Sequence, residues 1–451
     1  MPSAEPDWVE HAVWWQVYPL GFTGAEPAAP AAGRPVTHRL AALRDWLGYA
    51  VDLGASGLAL GPVFKSASHG YDTIDHYAID PRLGDLGDFS ALLDAAHSRG
   101  LRVLLDGVFN HVGREFPAFQ RVLAQGPGSP DASWFRLTWP PGAPPGAPPG
   151  AEPGYATFEG HPGLVALNHD EPAVARYVTD VMRHWLRAGA DGWRLDAAYA
   201  VPGTFWASVL PQVRAGHPDA YLMGEVIHGD YPRIVADTGL DSVTQYELWK
   251  AIWSSLNERN FFELAWALDR HNGFLDSFVP FTFAGNHDVT RLASQVKDAR
   301  HLAHALVLLF TLGGTPAVYY GDEQAYRGVK EDRPGGDDAV RPAFPASPAD
   351  LAPDGWPTYR LHQDLIGLRR RHPWLHRARS RVLDLANEHL SYEVTGGGGR
   401  LVVALNLAGQ EAAMQAPDAR SCLAGRAALT DDADGAAQVR LPPHGWAILG
   451  A

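Results

Sequence analysis

Cysteine is nearly absent: Cys422 stands alone among 451 residues, so no disulfide can form within the chain. Basic residues are in deficit, 37 Lys and Arg against 51 Asp and Glu, and the net charge of -14 excludes nucleic acid as a natural partner. Long apolar runs are missing too. The longest, "LAHALVLLFTLGG" (302–314), is too short to span a bilayer, and the opening "MPSAEPDWVEHAVWW" has neither the basic segment nor the apolar core of a secretory signal. These absences predict a cytoplasmic protein with no membrane partner. What is present, 46% hydrophobic and 20% charged residues, is the composition of a soluble globular chain with a large core.

One pattern recurs. "RLAALRDWLGYAVDLGASGLALGP" (39–62) reads as an amphipathic helix, a glycine stop at Gly54 and a short apolar strand, and "DFSALLDAAHSRGLRVLLDGVFNH" (88–111) repeats it with Gly100 as the stop. The segments leading to "DGWRLDAAYA" (191–200), "AYLMGEV" (220–226) and "TPAVYYGDE" (315–323) do the same. Weaker strands are expected at "AVWWQVYP", "LDSVTQYE" and "LDSFVPFTFAGNHD", which brings the count to eight. Continuous apolar strands alternating with helices indicate a parallel sheet covered on both faces, and eight units suggest closure into an α/β, (β/α)8 TIM barrel. A doubly wound open sheet would show the same local pattern.

Two stretches break the repeat. After the third strand come about sixty residues containing "TWPPGAPPGAPPGAEPG" (138–154), read as an excursion subdomain whose proline and glycine tract is a mobile surface loop. After about Arg379 the helices stop, and "RVLDLA", "LSYEVT" and "RLVVALNL" look like antiparallel strands. The expected organisation is a barrel over 1–111 and 173–378, an excursion subdomain over 112–172 and a C-terminal antiparallel β domain over 379–451.

The polar residues then raise a question. Arg194 and Asp196 sit two apart in a stretch with the flanks of a core strand, where both side chains point to one face. Asp106, Asn110 and His111, Glu225, and Asn286, His287 and Asp288 also fall at strand ends, where a barrel has its one large concavity. Isolated, each is readable as a turn former or helix cap. Several converging carboxylates, however, repel one another unless a function retains them, and they push proton affinities apart. A catalytic zinc site is not indicated, because His111 and His287 lie on different strands and no His-x-x-x-His helix occurs. Glycoside hydrolysis does call for such a set. One carboxylate attacks the anomeric carbon, a second protonates the leaving oxygen, and a third holds sugar hydroxyls.

These residues resemble the α-amylase family of retaining glycoside hydrolases. "DGVFNH" (106–111), "GWRLDAA" (192–198), "GEV" (224–226) and "FAGNHD" (283–288) are similar to its four main motifs in order, while "GTPAVYYGDE" (314–323), "HGYDTIDHYAIDP" (69–81) and "LVALNHDEP" (164–172) resemble its eighth-strand, second-strand and excursion-closing motifs. The resemblance covers roughly residues 10 to 375. It implies that Asp196 is the nucleophile, Glu225 the acid that becomes the base, and Asp288 the group gripping hydroxyls of the distorted sugar, with His287 beside it and His111 opposite. It further implies that Arg194 orients Asp196, that Asp106 holds Arg194, and that Tyr71 stacks on the sugar being cleaved, an apolar C–H face on an aromatic ring.

The same resemblance implies an α-glucan or oligosaccharide substrate and no cofactor. The family's calcium sites use the position of Asn110 with an acid from the excursion, for which Asp131, Glu152 and Asp170 are available; no metal is expected. The chain departs from many relatives in carrying Tyr199 and Ala200 after the nucleophile motif, which alters the acceptor side. The segment "YRGVKEDRPGGDDAVRPAFP" (326–345) follows the last strand and reads as a lid whose Asp337, Asp338 or Arg341 contacts sugar beyond the cleaved residue. In α-glucosidase members, an Asp three residues before the stacking Tyr holds the chain end; here Ser68 stands there. A neutral hydroxyl grips less firmly than a carboxylate, by roughly 1 to 2 kcal/mol. Cleavage within chains is therefore expected. A transglycosylase or isomerase using the same covalent intermediate is the alternative.

Overall fold

Eight short strands form one parallel sheet in the computed structural model, which describes residues 5–28, 35–139, 152–333, 335–431 and 437–450. They are β1 (Trp14–Val17), β2 (Gly57–Leu60), β3 (Arg102–Gly107), β4 (Gly192–Leu195), β5 (Tyr221–Gly224), β6 (Ser242–Val243), β7 (Phe281–Phe283) and β8 (Thr315–Tyr319). The order is β6-β5-β4-β3-β2-β1-β8-β7, and a parallel bridge between Thr244 and Phe281 joins the two end strands. The sheet is thus a closed (β/α)8 barrel, not the open alternative.

The helices cover the outside. In Pro172–Arg187, proline at the first turn and the Glu171 side chain, accepting from the Ala173 N–H at 3.0 Å, start the helix. Val174, Val178, Val181, Met182, Trp185 and Leu186 recur at helical spacing and are buried against the strands, each contributing roughly 1.5 to 3 kcal/mol. Gly189, at φ +114°, turns the chain toward β4.

Inside the barrel, Trp14, Ala59, Leu104, Tyr221, Met223, Phe281, Phe283 and Ala317 form a separate apolar cluster. The Trp14 and Tyr221 rings lie parallel, centroids 6.3 Å apart. Gly57 and Gly192 make room for this pair, since a Cβ at Gly57 would meet the Trp14 ring at 2.3 Å and one at Gly192 would meet the Tyr221 carbonyl at 2.1 Å. One strand step of two residues above this layer, the inward positions become polar: Gln16 above Trp14, Asp106 above Leu104, Arg194 above Gly192 and Glu225 above Met223. The ion pair in a core strand is the roof of the barrel's own core.

Between β3 and β4 the chain makes its excursion. His111–Gly113 pairs antiparallel with Leu164–Ala166, and Leu137–Thr138 with Gly154–Tyr155. Most of the proline and glycine tract, 140–151, lies outside the described residues. At the C-terminal end, an antiparallel sheet beginning at Arg379–Leu385 faces a three-stranded one, Ala412–Gln415, Ala437–Leu441 and Ala428–Asp431. Val402, Ala404, Met414, Val439, Leu441 and Leu449 fill the space between them. No helix among the described residues is long and apolar enough to cross a membrane.

Acidic groups buried at the end of β8 make stability depend on pH. Burial pushes Glu323 from near 4.5 up to about 7, and Asp322, although paired with Arg291 at 3.2 Å, from 3.8 up to about 6. A raised folded-state value means a contribution that is complete below the unfolded pKa and is lost as pH rises through the folded one, about 3 kcal/mol for each group. Unfolding midpoints measured by calorimetry should therefore fall between pH 5 and pH 8. A flat profile across that window would contradict the raised proton affinity of these two buried carboxyls.

Candidate active site

Register brings Arg194 on β4 opposite Asp106 on β3. One guanidinium then meets three carboxylates: Nη1 donates to both Asp106 oxygens at 2.7 Å and to Asp196 at 3.2 Å, while Nη2 lies 2.7 Å from Glu225. All four side chains are buried. Ala197, immediately after Asp196, sits in the left-handed region at φ +44° without being glycine, a strain of about 1 to 3 kcal/mol held by the surrounding structure. This turn aims the Ala197 N–H at the Glu225 Oε2, 3.1 Å away.

Glu225 collects further donors. Tyr246, just beyond β6, donates its hydroxyl to Oε1 at 3.2 Å and accepts from Asn286 Nδ2 at 2.9 Å. Burial, then the neighbouring Glu225 charge, push the Asp196 carboxyl well above the usual range, against the pull of Arg194. Arg194, Ala197 and Tyr246 thus all direct donors at the Glu225 carboxylate.

The end of β7 supplies the opposite wall. Asn286 Oδ1 accepts from the Asp288 N–H at 2.9 Å, and the Asp288 carboxylate meets His287 Nε2 at 3.0 Å and Arg341 Nη2 at 2.8 Å. Despite burial, His287 and Arg341 beside it hold Asp288 far below the ordinary range, so it is ionised throughout the neutral region. Arg341 also donates to the His287 carbonyl at 3.0 Å and pairs with Asp337 at 3.1 Å, while Lys330 reaches Asp337 at 3.4 Å. The segment after β8 is thus pinned to the site by Arg341.

Tyr71 and His287 stack in parallel, ring centroids 5.5 Å apart, with the Tyr71 hydroxyl on His287 Nε2 and 3.2 Å from Asp106. His111 spends both ring nitrogens inside the protein, Nε2 on the Tyr71 carbonyl at 3.0 Å and Nδ1 on Asn110 at 3.1 Å. Its face packs on Phe158 at 4.7 Å, and burial lowers its pKa to about 4, so it is a neutral imidazole.

An open cleft of about 1060 Å³ lies above these groups. Tyr71, His111, Asp196, Glu225 and Asp288 line it, with Asp106, Arg194, His287 and Arg341 behind them. Phe158, Glu159, Tyr246, Trp249 and Lys330 also line it and are not singled out by the motifs. Tyr246 had a signal, its position at the end of the sixth strand, whereas Phe158 and Glu159 come from the excursion, where spacing carries no register.

Each acid available for a calcium ion beside Asn110 is paired with an arginine. Asp131 pairs with Arg121 at 2.5 Å, Asp170 with Arg136 at 3.2 Å and Glu152 with Arg114, while Asn110 turns its amide to His111.

The fold and this geometry have relatives. The family described as alpha amylase, catalytic domain, matches residues 16–375. A cyclomaltodextrinase of Geobacillus thermopakistaniensis (strain MAS1) is 33% identical over 439 residues, covering 92% of this chain and 72% of that protein. A maltogenic alpha-amylase of Bacillus acidopullulyticus is 33% identical over 72% of this chain, which spans only 58% of its length. Among solved structures, the Nostoc punctiforme debranching enzyme superposes with a TM-score of 0.83 at 28% identity, covering 100% of both chains. With motifs, barrel and cleft agreeing over most of its length, the chain belongs to the α-amylase family of glycoside hydrolases.

Proposed function

We propose that the protein hydrolyses α-glucosidic bonds in glucans or oligosaccharides with retention, and that the bridging of Asp106, Asp196 and Glu225 by the one guanidinium of Arg194, on the floor of an open cleft, carries this reading. Asp196 attacks the anomeric carbon while Glu225 protonates the departing glycosidic oxygen, leaving a glycosyl ester on Asp196. Water enters, Glu225 takes one of its protons, and the remaining hydroxyl displaces Asp196. Positive charge on the ring is met by the ionised Asp288, which with His287 also offers acceptors and donors to sugar hydroxyls.

Cleavage within a chain is the mode this cleft favours. The Ser68 hydroxyl is already spent on Asp72, at 2.5 Å, and lines a neighbouring cavity of about 790 Å³ with Tyr18, Arg82 and Asp338. Arg341 lines that cavity too and reaches across to Asp288. No carboxylate at position 68 anchors a chain end. Maltoheptaose with its non-reducing end blocked by a ketal should therefore be cut at a rate comparable to the unblocked sugar, read by product chromatography. Strict dependence on a free end, or release of glucose alone, would overturn this mode. A cytoplasmic location accords with the single exposed thiol, Cys422.

A further inference from the structure

Two histidine rings from different parts of the fold meet away from the cleft. His301 closes the 3-10 turn Ala299–His301, which leads directly into the helix Leu302–Thr311 of the barrel. His444 stands in the turn between the strands Ala437–Leu441 and Trp446–Gly450 of the C-terminal β domain. His301 Nε2 lies 3.0 Å from His444 Nδ1. Asp298 begins the 3-10 turn by accepting from the Arg300 N–H at 3.1 Å, and at three residues per turn its side chain shares a face with that of His301. One ligand atom from each of the three residues lies within 4.8 Å of the others. None of the three lines the cleft or belongs to a family motif.

The turn that carries His444 is fixed in place. His444 is held in the left-handed region, at φ +55°, without being glycine, and its N–H donates to the Ala408 carbonyl at 3.0 Å. His304 Nε2 lies 3.1 Å from the Gly445 carbonyl and 3.2 Å from that of Asn406. Both partners only accept, so Nε2 carries a proton and the ring ties the barrel helix to the turn. Nδ1 of His301 and Nδ1 of His304 are both buried with no hydrogen-bond partner among the described residues. The two rings stand nearly perpendicular, centroids 5.2 Å apart. Three imidazoles and a carboxylate therefore gather where barrel and β domain pack, with fewer hydrogen bonds than burial ordinarily demands.

A cation accounts for this gathering. Zinc–imidazole bonds of about 2.0 to 2.1 Å put two neighbouring ligand nitrogens about 3 Å apart, which is the spacing of His301 and His444. Two nitrogens and one carboxylate oxygen suit a borderline transition ion, whereas calcium and magnesium take oxygens. Binding through Nε2 places the ring proton of His301 on Nδ1. Asp298 already receives Arg300 Nε and Nη2 at 2.9 and 2.7 Å, but each carboxylate oxygen has a second lone pair, and the Arg300 side chain is exposed enough to swing aside. Arg259, the other cation near His301, is paired with Glu388 at 2.5 Å. Asp298 and His444 are half-buried, so water reaches the remaining coordination positions. We infer that Asp298, His301 and His444 bind a divalent transition ion of the zinc class, which clamps the C-terminal β domain to the barrel.

The full chain, stripped with EDTA and dialysed against ZnCl2, should retain about one zinc, measured by mass spectrometry of the metal. His444→Ala should retain none, and Asp298→Asn, which keeps the turn's cap, should bind at least about 10-fold more weakly. At about 100 times Kd, zinc should raise the wild-type unfolding midpoint by about 3 °C and leave that of His444→Ala unmoved. Amide exchange in Trp446–Gly450 should slow on zinc addition, as a clamp requires. His38→Ala is the control, because His38, Asp85 and Asp88 form a more exposed set of the same kind, and it should bind as the wild type does. Failure of the wild type to retain zinc, retention undiminished in both variants, or loss in His38→Ala alone would overturn the site. Retention with unaltered exchange would overturn the clamp. Both substitutions fall on half-buried positions, and if one variant fails to fold the other decides. Turnover of glucosides does not enter these measurements, so their outcome stands apart from the hydrolase reading.

Discussion

Asp196→Ala and Glu225→Gln each lose on the order of 10⁴-fold or more in kcat on the best oligosaccharide, with the fold intact. The two losses differ in kind. Without Asp196 there is no group to form the glycosyl ester, so every substrate suffers alike. Without a proton on Glu225 the difficulty is the leaving group, and an α-glucosyl fluoride, whose fluoride departs without protonation, recovers much of the first step. Stability should move the other way. Burial and the Glu225 charge already raise the Asp196 carboxyl, so its removal relieves repulsion, and Asp196→Ala should melt at or above the wild-type temperature at pH 7.5. Proton NMR of the first products should show the α anomer, because two inversions at one carbon restore the configuration. An initial β product, or near-normal turnover in either variant, would contradict the assignment.

How much of this was legible in the sequence differs by element. The eight strands were readable because a sheet covered on both faces is written as continuous apolar runs, and the glycine stops at Gly54, Gly100 and Gly189 mark where each helix ends. The gathering of Asp106, Arg194 and Glu225 was also readable, since each falls at a strand end, where a barrel has its one large concavity. Gln16 was not. Its side-chain amide meets His287, 271 residues away, which no local pattern encodes. Tyr246 opens the helix after the shortest barrel strand, Ser242–Val243, so its place at a strand end was a signal with no periodicity behind it. His111 shows the limit of a motif: the residue is at the cleft, yet both its nitrogens are bound to Tyr71 and Asn110. In the excursion, Phe158 and Glu159 reach the cleft through loop geometry, with Glu159 itself at φ +50°, which no pattern of hydrophobicity encodes.

Arg194→Met should combine the largest loss of stability with loss of activity. The methionine fills much of the volume, so packing is nearly conserved, but Asp106, with no exposed side-chain surface, and its two neighbours lose their one shared cation. Removing one partner of a buried ion cluster destabilises by about 3 to 5 kcal/mol, because the carboxylates left behind are desolvated and mutually repelling. Urea unfolding at pH 7.5 should show a loss of that order. The deficit should shrink at pH 5.5, since burial already raises Asp106 and Asp196 and protonation then removes the uncompensated charge. Arg194→Lys should recover part of the stability but little of the turnover, because an ammonium is a single point of charge and cannot hold Asp106, Asp196 and Glu225 at once through two separate nitrogens. Asp106→Leu added to Arg194→Met should restore stability while leaving the enzyme inactive, since the pair is then replaced by apolar surface and the Asp196 carboxylate is still left without its guide. A loss in Arg194→Met that is small and independent of pH would mean that the three carboxylates do not depend on this guanidinium, and the central feature of the site would have to be redrawn.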